Sequence, residues 1–191
     1  MTTEQIKAIQ AKIGAEPDGF WGEKSIIACK KYLRKLMDSC EDSLHIPKTD
    51  QNSLTSDYGL PGDESKLVNL DVQGLGVKYD GQSVKTIRVN KACSESLNLI
   101  IRELATMPEG KIALSQYAGC YNNRAMRGGS LPSLHARGAA IDLMPATNRN
   151  KQSWPVSADM PFSIMEVFAK HGWLSAGAFW GRDGMHAQRT K

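Results

Sequence analysis

Ser133-Leu134-His135-Ala136-Arg137-Gly138-Ala139-Ala140-Ile141-Asp142 is the densest chemical stretch of the chain. A histidine and a carboxylate stand seven positions apart, and Gly138, Ala139 and Ala140 between them let the backbone bend and pack tightly. A second cluster, Asp183-Gly184-Met185-His186, follows near the C-terminus. His135, Asp142 and His186 together offer two neutral imidazoles and one carboxylate. That donor set suits a catalytic Zn²⁺, because three protein ligands leave a fourth tetrahedral position for water. The four cysteines, Cys29, Cys40, Cys93 and Cys120, form no C-x-x-C pair and read as reduced, mostly buried thiols.

The charge arithmetic fits hydrolysis. A divalent cation with one carboxylate leaves net +1, which draws the pKa of a bound water down towards about 7. Asp183, three residues before His186, is placed to take that water's proton. Arg124, upstream in Cys120-Tyr121-Asn122-Asn123-Arg124, supplies a fixed cation for an oxyanion. Of the other histidines, His171 precedes Gly172 at a helix end and is explained by the helix dipole, and His45 reads as solvated.

Outward from this centre, strand-like runs at Leu67 to Val72, Val84 to Val89 and Ile112 to Tyr117 mix with a helical face of Leu97, Ile100, Ile101 and Leu104. A last helix is expected from about Pro161 to Gly172. Elements not in strict alternation predict an α+β domain over residues 57–191, with a small, largely antiparallel sheet flanked by helices. Residues 41–56 are polar, aperiodic and contain Pro47, the composition of a linker. Before them, Thr2 and Gln5 form a capping box for a helix with Ile6, Ile9 and Ile13 on one face. A turn at Pro17-Asp18-Gly19 leads to a second helix striped by Ile26, Cys29, Leu33 and Leu36. Residues 1–40 thus form a short all-α unit whose two helices need something further to pack against.

The chain has 191 residues, 41% hydrophobic and 23% charged, with net charge +4. Those values exclude a disordered or fibrous protein, and no apolar run reaches the roughly 18 residues of a membrane span. No basic stripe with interleaved aromatics points to nucleic acid. The first twenty residues hold no signal-peptide core, so cytoplasmic residence is expected.

The pattern S-x-H-x-x-G-x-A-x-D at Ser133 to Asp142, followed by D-x-x-H at Asp183 to His186, resembles the zinc peptidases of the D-Ala-D-Ala carboxypeptidase and L-Ala-D-Glu endopeptidase group. Their substrates are bacterial cell-wall peptides. The resemblance covers about residues 57–191 and is strongest from Gly119 onward. It implies that His135, Asp142 and His186 bind zinc, that Asp183 is the base, and that Arg124 is the electrostatic stabiliser, with its neighbour Arg127 competing for that role. Members often carry Glu where this chain has Asp183; the Asp form is more like the phage endopeptidase branch. Ser133 and Arg127 are expected to touch substrate.

Ile9 to Gly14 and Asp18-Gly19-Phe20-Trp21-Gly22-Glu23-Lys24-Ser25 resemble the small helical peptidoglycan-binding module, in which Trp21 would lie against a sugar or else staple the helices. Together the two resemblances imply a monomeric phage endolysin. It would be held in the host cytoplasm, released through the membrane at lysis, and active on peptidoglycan as an L-Ala-D-Glu endopeptidase. A D-Ala-D-Ala carboxypeptidase or dipeptidase, and a catalytically idle wall-binding protein, are the alternatives.

Overall fold

The computed structural model describes residues 1–38 and 50–189. His45 and Cys40, like residues 41–49 of the expected linker, lie outside the described residues.

Helix α1 (Thr3–Ile13) begins at the expected capping box: the Thr2 hydroxyl accepts from Gln5 N while the Gln5 side chain accepts from Thr2 N. The turn into α2 (Glu23–Asp38) is organised by buried Gln10. Its amide nitrogen donates to Asp18 Oδ1 and the Phe20 carbonyl, and its oxygen accepts from Gly19 N at 2.8 Å. The apolar faces of these helices join one contiguous core with the rest of the molecule, in which Ile9, Ile13, Leu33 and Met37 pack in the same cluster as Trp154, Phe162 and Ile164. The further surface that two helices need is thus the body of the protein.

Helix α3 (Gln51–Tyr58) starts at Asp50, whose carboxylate accepts from Ser53 N. Residues 51–56 are therefore helical, and Leu54 and Tyr58 are buried. Composition alone hid this element, because its buried positions are only two in eight.

Strand β1 (Leu67–Asp71) pairs antiparallel with β4 (Thr86–Asn90), and the two-residue strands β2 (Lys78–Tyr79) and β3 (Gln82–Ser83) form a small hairpin between them. Asn90 caps α4 (Lys91–Thr106), which buries Leu97, Ile100, Ile101 and Leu104 as expected. Ile112 to Tyr117 departs from expectation. Pro108 starts a helix, α5 (Pro108–Leu114), and only Tyr117–Gly119 is extended, as β5. Pro108 suits a first helical position, and Gly110, without a Cβ, lets the new helix pack against the Leu104 backbone.

The four-stranded sheet has the order β5-β6-β8-β7, all antiparallel, with β6 (Ala140–Leu143), β7 (Trp173–Ser175) and β8 (His186–Arg189). Helix α6 (Phe162–Lys170) follows Pro161 and runs into His171; α7 (Ala176–Trp180) links β7 towards β8. The expected α+β class, with small antiparallel sheets and N-terminal helices, is what the structure has. Among the described residues no helix is long and apolar enough to cross a membrane.

The N-terminal helices meet α6 through Glu166, whose carboxylate accepts from Lys12 Nζ and from Tyr32 Oη, both at 2.7 Å. Trp21 packs edge-to-face on Trp154, ring centroids 5.2 Å apart. Replacing Glu166 by Ala leaves the Tyr32 hydroxyl without its acceptor and exposes half-solvated Lys12 to water; a loss of about 1–2 kcal/mol is expected by denaturant unfolding.

Candidate metal centre and active-site cleft

Three neighbouring strands bring the cluster together. Asp142 on β6 and His186 on β8 are directly opposite in the antiparallel register, and Gly119 of β5 faces Asp142 from the other side. His135 comes from the single helical turn Leu134–Arg137 just before β6. Ser133 caps that turn, its hydroxyl accepting from His135 N, and Gly138 closes it in the left-handed conformation at φ 66°.

A Cβ at Gly138 would stand 2.9 Å from Asn90 N and 2.8 Å from Leu67 Cδ2, so backbone and side chain both oppose it. Positive φ adds about 1 kcal/mol and the overlap about 1–3 kcal/mol more. Gly138→Ala should therefore lower stability by about 2–4 kcal/mol, measured by denaturant unfolding, and weaken metal binding with it.

Second hydrogen bonds set the tautomer of each imidazole. His135 Nδ1 donates to the Cys120 carbonyl at 2.7 Å, which leaves Nε2 as a lone pair. His186 Nε2 donates to Gln188 Oε1 at 3.2 Å, which leaves Nδ1 as a lone pair. These two nitrogens and Asp142 Oδ1 form a triangle with edges of 3.2, 3.2 and 3.1 Å. All three corners are acceptors, and the ring protons are engaged elsewhere. Lone pairs converge in this way around a cation.

The dimensions fit zinc: with bonds of about 2.0–2.1 Å, adjacent tetrahedral donors lie about 3.3 Å apart. His135 and Asp142 are 3% and 7% exposed, a dry setting in which an unbalanced triangle would be costly. The electrostatics lean the same way. Burial raises the Asp142 carboxyl, yet when a proton stands where a cation would, the hydrogen bonds and positive charge of the two imidazoles outweigh burial and hold Asp142 below the usual carboxylate range. Burial also opposes a charged His186, and Asp142 outweighs that, lifting His186 above the ordinary imidazole range. The centre of the triangle is built for positive charge.

The cluster lies in a cleft of about 520 Å³. Arg124, Arg127, Ser133 and Asp183 all line it. Asp183 adopts φ 58°, an uncommon conformation for a residue other than glycine, and its Oδ1 is buried without a hydrogen-bond partner among the described residues. Burial raises its pKa, the neighbouring Asp142 adds to that, and His186 and Arg127 oppose. Asp183 is thus an under-solvated carboxylate lining the same cleft as the His-Asp-His cluster. Arg124 is half-buried and donates to its neighbour's carbonyl, Ala125 O, at 3.2 Å, while Arg127 is exposed. Trp21 is the one expected site residue that does not line this cleft; it sits against Trp154.

Several contributors went unread in the sequence. Gln188 lies two residues after His186 on one strand, hence on the same face, and strand periodicity could have revealed it. Trp180 stacks on the His186 ring at 5.9 Å and 28°, and remains 47% exposed in the cleft. Asn148 is fully buried and its carbonyl accepts from Met185 N, holding the turn between Asp183 and His186. The Cys120 carbonyl carries no side-chain signal at all. His171, assigned to a helix end, also has a specific partner, Glu103 Oε2 at 2.9 Å.

Comparison with curated proteins and with solved structures gave no significant match. Residues 127–189 match the family model described as D-alanyl-D-alanine carboxypeptidase, and this stretch contains His135, Asp142, Asp183 and His186.

Proposed function

We propose that the protein is a zinc-dependent peptidoglycan hydrolase that cuts a peptide bond in the stem peptides of bacterial cell walls, as an L-Ala-D-Glu endopeptidase of the endolysin type. The observation that carries this reading is the close triangle of His135 Nε2, Asp142 Oδ1 and His186 Nδ1, with Asp183 lining the same cleft. Zinc held by these three residues supplies a Lewis acid that acidifies water and polarises a carbonyl. Asp183 takes the proton of the attacking water and returns it to the leaving amine. Arg124, on the same cleft, offsets the negative charge that builds on the carbonyl oxygen, and Arg127 and Ser133, also in its lining, contact the peptide.

The N-terminal helices serve as the wall-directed part. Trp21 is half-buried against Trp154, so its remaining face and the 75%-exposed ring of Phe20 beside it are what a sugar would meet. A phage enzyme stored in the host cytoplasm until lysis is the biology this implies.

The description of the matching family favours a second reading, cleavage of a terminal D-Ala. Mass spectrometry of purified sacculi digested by the zinc-loaded protein separates the two. New N-terminal D-Glu supports the endopeptidase, release of free D-Ala supports the carboxypeptidase, and an undigested sacculus overturns both.

A further inference from the structure

We propose that Gln51 is a substrate-contacting residue and that α3 forms one side of the catalytic cleft, with Arg137 as its positioning residue. This rests on the peptide-hydrolase reading above.

Gln51 and Leu54 line the same cleft as His135 and Asp183, although α3 lies some eighty residues before His135 in the chain. The tie between them is Arg137, two residues after His135 and 2% exposed. Its Nε donates to the Gly59 carbonyl at 3.0 Å, and its Nη2 donates to Gln51 Oε1 at 3.0 Å and Thr55 Oγ1 at 3.2 Å. Every acceptor is neutral. Nη1 is buried with no partner among the described residues, so this guanidinium cannot reach a substrate carboxylate; it is engaged in holding α3.

A guanidinium only donates, so the Gln51 amide must turn its oxygen towards Arg137. Its Nε2, with two hydrogens, then points away from Arg137. That nitrogen has no acceptor among the described residues, and Gln51 faces the cleft. Two oriented N–H donors are therefore presented to whatever occupies the cleft, and an oxygen acceptor of a bound peptide, either a backbone carbonyl or a carboxylate, is the group they fit.

Gln51→Glu is the discriminating variant. Its carboxylate still accepts from Arg137, now as an ion pair, while both donors are lost. With zinc-loaded protein and soluble stem peptides, Tm and zinc content should be held or raised, kcat should stay within about twofold, and KM should rise about tenfold. Kd measured by calorimetry in an Asp183→Asn background should rise equally. A larger penalty on peptides with free carboxyl groups than on amidated ones assigns the acceptor as a carboxylate; an equal penalty assigns a carbonyl. Gln51→Leu should raise KM and also lower Tm, since Arg137 loses an acceptor. Wild-type KM and Kd in Gln51→Glu, with wild-type cleavage intact, would overturn the proposal alone. A wild-type protein that neither cleaves nor binds stem peptides removes the hydrolase reading and this one with it.

Discussion

Replacing Asp183 by Asn is expected to lower kcat/KM on stem peptides by about a thousandfold, within the range of about 10²–10⁴ for loss of a general base, with zinc content unchanged. Asn is the informative substitution. The backbone here has φ 58°, which Asn tolerates well and Ala does not, so Asp183→Ala would mix a strain of about 1 kcal/mol with the chemical loss. Asn also keeps the shape of the side chain while removing a half-buried charge whose buried Oδ1 has no hydrogen-bond partner among the described residues. Folded stability should therefore be equal or higher, measured by thermal unfolding of the zinc-loaded proteins. Turnover at the wild-type rate would remove Asp183 from the mechanism; loss of zinc would make it a structural residue.

Removing the metal is the second large effect. A chelator should abolish hydrolysis, and added Zn²⁺ should restore it. At a free-ion level of about one hundred times Kd, binding contributes about 2.7 kcal/mol, so Tm should fall by roughly 5–10 °C on chelation for a chain of this size. Acid acts in the same direction. His186 has its pKa raised above the ordinary imidazole range, because Asp142 outweighs burial. As pH falls through that raised value, protons replace the cation, and apparent zinc affinity should drop roughly tenfold per pH unit for each proton taken up. Metal content measured after dialysis across pH tests this, and a Tm indifferent to both chelator and zinc would sink the metal site.

The local features were legible because they depend on residues close in sequence. The Thr2–Gln5 capping box, the helical stripe from Leu97 to Leu104 and the strands β1 and β4 all follow from local preference and burial period. Ile112 to Tyr117 misled for an equally local reason: short apolar runs do not distinguish a strand from a short helix, and Pro108 with Gly110 decided for the helix. Helix α3 was hidden by polarity, since six of its eight residues are not buried.

By itself, the sequence determined the donor set, the order of its members and the chemistry they suit, because side-chain identity decides what can ligate a cation or accept a proton. Only the tertiary structure decided which nitrogen of each imidazole faces inward, since that depends on the Cys120 carbonyl and Gln188 Oε1. It also turned the N-terminal helices onto Glu166 and Trp154, engaged Arg137 with α3, and placed Gln51 at the cleft. Each of these is a contact between segments distant along the chain, made by hydrogen bonds and apolar surface that become complementary only once the backbone has closed.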